Sequence, residues 1–311
     1  MECKILSGRG KVLIKNGETE TIIPPYPKII HPPQIFEKPM VAELKWNGYN
    51  VRTFLLGDEI ISILRGGRPD MRTRDMILKH YGDNIQNFLK DHPNMILCGE
   101  VIGKKTMAKY KGVDFDYLIF DIIEKTNGSY RFLGYDEKRE LIEKYKFNYV
   151  GSAGVFQNLN SVLDKMKTLP GPDDGIEGVV LKTLDGKYIF KLRYDMHPEL
   201  FGEKIVNEWR GRERKEEVIF AHFIQGYPEE ELGLKKGISI EDFQKLESEM
   251  ESFFNVNENE LENKYREICD YLYSLLINSG DFDSETKDKL YNIVKRFVSK
   301  ELKKAKKHRG R

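Results

Sequence analysis

Apolar and polar positions change their period twice along the chain. Residues 11–23 alternate around Asn16-Gly17, which predicts a hairpin with a type I′ turn and positive φ at both central residues. Pro24, Pro25, Pro27, Pro32, Pro33 and Pro39 follow. Proline fixes φ and lacks an amide donor, so this stretch reads as an extended strap. From Met40 to Asp195, runs rich in Val, Ile, Phe and Tyr predict strands over 40–46, 49–57, 59–65, 95–102, 116–123, 176–183 and 187–194. Helical spacing, as in Ile77, Tyr81 and Ile85, predicts helices over 74–91, 135–146 and 161–169. Tight turns at Asn47-Gly48 and Gly57-Asp58 join neighbouring strands, pointing to mostly antiparallel sheets in an α+β domain with a ligand cleft.

Beyond Met196 the strand pattern fades. Amphipathic segments at 239–254, 258–277 and 284–305 predict helices, with Ser239 and Asp242 as a capping box and Gly280 as a break. Leu290, Val294 and Phe297 recur on one face of the last. The expected organisation is a hairpin and strap over 1–39, an α+β domain over 40–195 and an all-helical region over 196–311.

Composition narrows the functional classes. Lys and Arg number 51 against 50 Asp and Glu, a net charge of +1, which excludes a uniformly basic nucleic-acid coat but leaves room for local patches. Apolar residues at 40% supply a core, so disorder is not the expected state. Cys3, Cys98 and Cys269 are far apart and form no CxxC pair, which argues against a disulfide framework or zinc knuckle and for a reducing cytoplasm. No apolar run reaches membrane-span length, so no membrane association is expected.

One lysine has unusual surroundings. In Glu43-Leu-Lys45-Trp-Asn47-Gly48-Tyr-Asn50-Val-Arg52, Lys45 lies between strand and turn, with a glycine that lets backbone approach a ligand. Alone, this also describes a surface hairpin. Arg65-Gly66-Gly67 comes next, then Cys98-Gly99-Glu100, Phe120-Asp121, Glu177-Gly178-Val-Val-Leu-Lys182 and Lys191-Leu-Arg193. The ordered set resembles the covalent nucleotidyltransferases: ATP-dependent DNA ligases, RNA ligases and mRNA capping enzymes. The KxNGYNVR form and the helical C-terminal region are most similar to archaeal ATP-dependent RNA ligases. The resemblance runs from about Gly8 to the C-terminus and is strongest over 40–195. Asn47 departs from the usual aspartate of the KxDG element, and the part before Lys45 is expected to be shorter than in archaeal relatives.

The resemblance implies a nucleotidyltransferase fold, with ATP-grasp-like antiparallel sheets and flanking helices, followed by helices and no OB-fold. It also implies an enzyme that self-adenylylates on Lys45, transfers AMP to an RNA 5′-phosphate and seals it to a 3′-hydroxyl. ATP and Mg²⁺ (or Mn²⁺) are the implied cofactors, RNA the substrate and a homodimer the assembly. Lys45 would be the nucleophile, assisted by Lys182, Lys191 and Arg193 at the phosphates. Phe120 would stack on adenine, and Glu43 would recognise the base. Glu100 would hold the ribose, Asn50 and Arg65 would contact ribose and phosphates, and Glu177 would bind the metal through water. The chemistry is sensible: cations near a lysine disfavour its ammonium form and stabilise charge developing on phosphate.

Each assignment has a plainer competitor. Phe120 suits a core, Glu100 and Glu177 suit solvated strand ends, Lys182 suits an exposed strand face, and Asp121 suits a cap or brace. Trp209, Arg210, Arg212 and Arg214 suit either a substrate path or a junction. Residues 300–311 carry seven Lys or Arg against one Glu, as a solvated helix end or an RNA-phosphate contact would. A DNA ligase or capping enzyme would place a β-barrel after Arg193, where the sequence reads as helix. A catalytically silent RNA-binding relative would be expected to have lost some of these lysines and glutamates.

Overall fold

The computed structural model describes residues 2–7, 11–27, 29–103, 113–126, 129–201, 215–226 and 232–309. Trp209, Arg210, Arg212 and Arg214 lie outside the described residues, as do the basic-tail side chains beyond Lys303. The chain divides into two units, Met1–Arg212 and Glu213–Arg311.

Among the described residues of the first unit, the strands form three antiparallel sheets. β1 (Glu2–Ser7), β2 (Lys11–Asn16) and β3 (Thr19–Ile23) form the smallest, in that order. The hairpin turns one residue later than the sequence suggests. Asn16 pairs with Thr19, and of the turn residues only Gly17 has positive φ, at 60°, which excludes the type I′ turn. Glycine takes this conformation without a Cβ clash, so the left-handed position falls on Gly17.

The five-stranded sheet runs β6-β5-β7-β8-β9, comprising β5 (Tyr49–Leu56), β6 (Glu59–Leu64), β7 (Met95–Ile102), β8 (Asp116–Thr126) and β9 (Ser129–Phe132). On one of its faces Val51, Leu97, Val101 and Ile119 pack with Ile77, Ile85 and Phe88 of helix α1 (Met71–Asp91). On the other face Phe54, Ile61, Ile96 and Ile123 pack with Val12, Ile14 and Ile23 of the small sheet. Burial on both faces explains why these strands read as nearly continuous apolar runs.

The four-stranded sheet runs β10-β4-β11-β12, from β4 (Ile35–Trp46), β10 (Ser152–Asn158), β11 (Ile176–Thr183) and β12 (Ile189–Arg193). Helix α3 (Leu159–Met166) covers it through Leu159, Val162, Leu163 and Met166, which meet Ala42, Val179, Leu181 and Leu192. Helix α2 (Tyr135–Lys144) sends Ile142 into the core beneath the five-stranded sheet. A short helix, α4 (Pro198–Phe201), follows β12. β4 begins before the predicted strand and passes through Pro39, and β1, β9 and β10 have no counterpart in the predicted elements.

In the second unit the described elements are the helices α5 (Lys215–Gln225), α6 (Ile240–Ser252), α7 (Leu261–Ile277) and α8 (Ser284–Arg309), with short 3₁₀ turns. Ile268, Leu272 and Leu276 recur at helical spacing and meet Leu246, Leu290 and Val294 in one core. Phe297 is only partly buried against it. Ser239 caps α6: its Oγ accepts from the amide of Asp242 at 3.0 Å. Among the described residues, no helix is long and apolar enough to cross a membrane.

Candidate active site

Strand alternation positions the lysine. Ala42, Leu44 and Trp46 of β4 face the core shared with α3, so Glu43 and Lys45 project from the opposite face. Residue-by-residue pairing with β11 sets Lys45 opposite Gly178 and Glu43 opposite Val180. The register then slips, because Ile176 pairs with Trp46 and leaves Glu177 as the extra residue of a β-bulge. Without the bulge Glu177 would share the core face with Val179 and Leu181. With it, the carboxylate turns to the lysine and closes an ion pair with Lys45 Nζ. Gly178 makes this possible: its φ is +146°, and a Cβ there would lie 2.1 Å from the carbonyl oxygen of Leu192.

A second bulge presents Phe120. Cys98 pairs with Asp121 but Gly99 with Ile119, so Phe120 is the extra residue of β8. Its ring is partly exposed, edge-on to Tyr26 at 5.6 Å, with Lys182 Nζ 5.5 Å from the ring centroid. Its carbonyl oxygen accepts from Lys138 Nζ and Lys182 Nζ, each at 2.7 Å.

Those lysines belong to a closed network. Glu43 is 1% exposed and Lys138 2%. Glu43 Oε1 accepts from Lys138 Nζ at 2.5 Å and from the Tyr149 hydroxyl at 2.6 Å, while its Oε2 is ion-paired to Lys182 Nζ at 2.6 Å. Lys182 also donates to Asp121 Oδ1 at 2.7 Å, and the Tyr26 hydroxyl donates to Asp121 Oδ2 at 2.5 Å. Two carboxylates balance two ammonium groups, the condition under which buried charge is tolerated. Burial alone would raise the Glu43 pKa, but Lys182 and Lys138 outweigh it and hold the carboxyl at about 2. Burial would lower Lys182, but Asp121 and Glu43 push it above the ordinary lysine value. For Lys138 burial and the neighbouring Lys182 win, and its pKa falls.

Glu100, on β7 of the five-stranded sheet, feels the charges of both Lys45 and Glu177. Its Oε1 accepts from the amide of Gly48 at 3.0 Å. A Cβ on Gly48 would lie 2.2 Å from the Val101 carbonyl oxygen, so only glycine allows the approach. Burial raises Glu100 to about 7; Glu177 adds to this, while Lys45 and the Gly48 amide oppose it. Asn50 pairs with Glu100 across β5 and β7, and its Oδ1 is buried with no hydrogen-bond partner. An orphaned acceptor beside a carboxyl suits a polar ligand such as a ribose hydroxyl.

The last strand supplies cations. Arg193 shares a cross-strand row with Gly178 and Lys45, and Lys191 shares one with Val180 and Glu43. Arg193 is held by Asp195 in a two-point pair at 2.9 and 2.6 Å. Arg65 follows β6, and its carbonyl oxygen accepts from the buried Arg52 guanidinium at 3.2 Å.

Lys45 and Glu177 are therefore in contact, Glu100 lies within electrostatic reach of both, Asn50 is beside Glu100, and the rows of Lys191 and Arg193 run alongside. Glu43 and Lys182 lie next to this group with their charges directed at one another and at Lys138 and Asp121. Sequence reasoning missed Lys138, Tyr26 and Tyr149; no spacing marks a lysine on α2 or these tyrosines as parts of a charge network. The donor set fits a nucleoside triphosphate: an amine, cations on β12, a partly exposed aromatic and an unpartnered amide oxygen. Glu177 and Glu100 offer the hard oxygens a divalent ion prefers. Among the described residues, no cluster of three or more His, Cys, Asp or Glu could enclose a metal by protein ligands alone.

Known proteins resemble this chain. An uncharacterized protein of Methanocaldococcus jannaschii, MJ0414, is 32% identical over 173 residues, which are 51% of this chain and 41% of that protein. The chain thus spans about two fifths of that relative's length. Two solved structures of an archaeal ATP-dependent RNA ligase, forms 2 and 1, are 24% and 23% identical, with TM-scores of 0.54 and 0.52. Each match covers 87% of this chain and 67% of the other, a likeness of fold. The RNA ligase family model matches residues 38–193, from within β4 to the end of β12, and contains Lys45, Glu100, Phe120, Glu177, Lys191 and Arg193; the chain belongs to the RNA ligase family.

Proposed function

We propose that the chain is an ATP-dependent RNA ligase that works through a covalent lysine-AMP. The observation that carries this reading is the ion pair of Lys45 with Glu177, built by a bulge and the close-approach Gly178, with Glu100 held by the Gly48 amide near enough to feel both charges. The Lys45 amine attacks the α-phosphorus of ATP, forming a phosphoramide bond as the bond to pyrophosphate breaks. The amine must lose its proton, and Glu177 is the group in contact with it. An RNA 5′-phosphate oxygen then attacks the AMP phosphorus and releases Lys45. A 3′-hydroxyl finally attacks the activated 5′-phosphate and expels AMP, making the phosphodiester.

Mg²⁺, or Mn²⁺, would be held by Glu177 through water and would offset phosphate charge. Lys191, Arg193 and Arg65 bind phosphates, and Lys182 acts from behind Phe120 within its network. Phe120 stacks on adenine, Glu100 and Asn50 hold the ribose, and Glu43 fixes the strand from which Lys45 projects. In this reading the helical second unit takes the place of the OB-fold of DNA ligases and capping enzymes, and the protein acts as a homodimer. A cytoplasmic setting suits three cysteines that form no disulfide.

Intact mass after incubation with Mg²⁺ and either ATP or GTP tests the reading. One adenylyl group should appear with ATP only, be absent from Lys45→Ala, and discharge onto 5′-phosphorylated RNA in preference to DNA. No adduct, from protein first stripped of bound AMP, would overturn it.

A further inference from the structure

We propose that His31 and His197 form a binding site for a borderline divalent cation of the Zn²⁺ class, which clips the proline-rich strap to the segment after β12. His31 lies in the strap, and His197 follows the 3₁₀ turn Tyr194–Met196. Their Nε2 atoms are 3.4 Å apart. The other nitrogen of each ring is engaged: His31 Nδ1 lies 3.0 Å from the Pro32 carbonyl oxygen, and His197 Nδ1 3.0 Å from Glu199 Oε1. A carbonyl and a carboxylate oxygen only accept, so Nδ1 carries the proton on both rings. On neutral rings the two Nε2 atoms then face each other as bare lone pairs, an arrangement that calls for a positive charge between them.

The spacing suits a metal. Tetrahedral zinc with Zn–N bonds of about 2.0–2.1 Å holds two ligand nitrogens roughly 3.3–3.4 Å apart. Carbonyl and carboxylate partners on Nδ1 are also what orient metal-bound histidines and fix their tautomer. Imidazole selects Zn²⁺, Cu²⁺ or Ni²⁺ over the hard ions that suit carboxylates. Two protein nitrogens leave the remaining positions to water, so the site is open.

Its location gives the ion a task. Ile30 bridges Phe190, and its carbonyl oxygen accepts from the amide of Lys191 at 2.9 Å, so the strap already touches β12 beside Lys191. His31 is the next residue. A bound ion would tie the two ends of this contact and restrain the strand carrying Lys191 and Arg193. The proposal does not rest on the ligase reading.

Calorimetric titration of the untagged, full chain with ZnCl₂ at pH 7.5 tests it, with Co²⁺ absorption as a second readout. One ion per chain is expected, lost in His31→Gln and in His197→Gln and kept in the exposed control His80→Gln. Glu199→Gln should weaken binding about 10–100-fold by loosening the His197 ring. Circular dichroism confirms that the variants are folded. Failure of the wild-type chain to bind, meaning that a shared proton sits between the rings, would overturn the proposal, as would binding that survives both histidine substitutions.

Discussion

Glu177 contacts Lys45 although the two are not cross-strand partners: Lys45 pairs with Gly178, and the bulge delivers Glu177 to its amine. Glu177→Ala should lower adduct formation by about 10²- to 10⁴-fold, the range for losing a proton-transfer group. If the carboxylate also holds the metal, the Mg²⁺ concentration at half-maximal rate should rise. Single-turnover rates across a Mg²⁺ titration separate these effects; unchanged rates at every concentration would remove Glu177 from the chemistry.

Gly178→Ala should fail for a different reason. A side chain at φ +146° costs about 1–3 kcal/mol in backbone strain alone, and the Cβ would collide with the Leu192 carbonyl oxygen. The strand must shift and carry Glu177 off Lys45. Thermal melting should fall by several degrees, and adduct formation should drop as far as in Glu177→Ala. A variant as stable and active as wild type would mean that the bulge is not needed.

The network around Glu43 predicts both a mutational asymmetry and a pH limb. Lys138→Met leaves two carboxylates facing one lysine, and breaking a buried pair costs about 3–5 kcal/mol. Adding Glu43→Gln should restore part of that. Because the Glu43 carboxyl is held at about 2, its contribution is complete above the unfolded value of 4.5 and is lost as pH falls towards 2. Denaturant melts from pH 6 to pH 2 should show this loss in the wild type and a flatter limb in Glu43→Gln. Equal slopes would mean that Glu43 carries little of the acid sensitivity.

How much of this was legible in the sequence depends on the kind of signal. β7 and β11 are predicted to the residue because Val and Ile runs end in turns, and the order of Lys45, Glu100, Phe120, Glu177 and Lys191 points to one cleft. β10 was not legible, since Ser-Ala-Gly-Val-Phe-Gln-Asn has weak strand propensity and is held by pairing with β4. β9 is only four residues, and its pairing with β8 supplies what its pattern lacks. The bulges at Glu177 and Phe120 are register slips between partners distant in sequence. No local pattern reports a partner's register, so the sequence could name these residues but not say how they turn into the cleft.

Glu100 should make the stability of the chain sensitive to neutral pH. Its carboxyl is raised to about 7 from 4.5, so the folded state favours the neutral acid. The associated stability is complete below 4.5 and is lost as pH rises through 7, by up to about 3 kcal/mol on conversion at 1.36 kcal/mol per pH unit. Glu100→Gln keeps an acceptor for Gly48 and cannot ionise. It should therefore gain more stability over wild type at pH 8 than at pH 4.5. A gain independent of pH would show that Glu100 titrates normally.

Phe120→Ala decides between a stacking surface and a core residue. The main-chain carbonyl, not the ring, holds Lys138 and Lys182, so truncation leaves those bonds in place. If adenine stacks on the ring, losing it should cost about 1–3 kcal/mol, the range for base–aromatic stacking. The ATP concentration giving half-maximal adduct formation should then rise roughly 5- to 150-fold. Phe120→Tyr keeps the face and should restore affinity. Thermal melting should fall only modestly, because the ring is partly exposed and its Tyr26 contact is edge-on. A core residue would behave the opposite way, with a large drop in melting temperature and no change in the ATP dependence. Measuring both quantities on the same two variants tells a ring that is filled by a base from one that merely fills space.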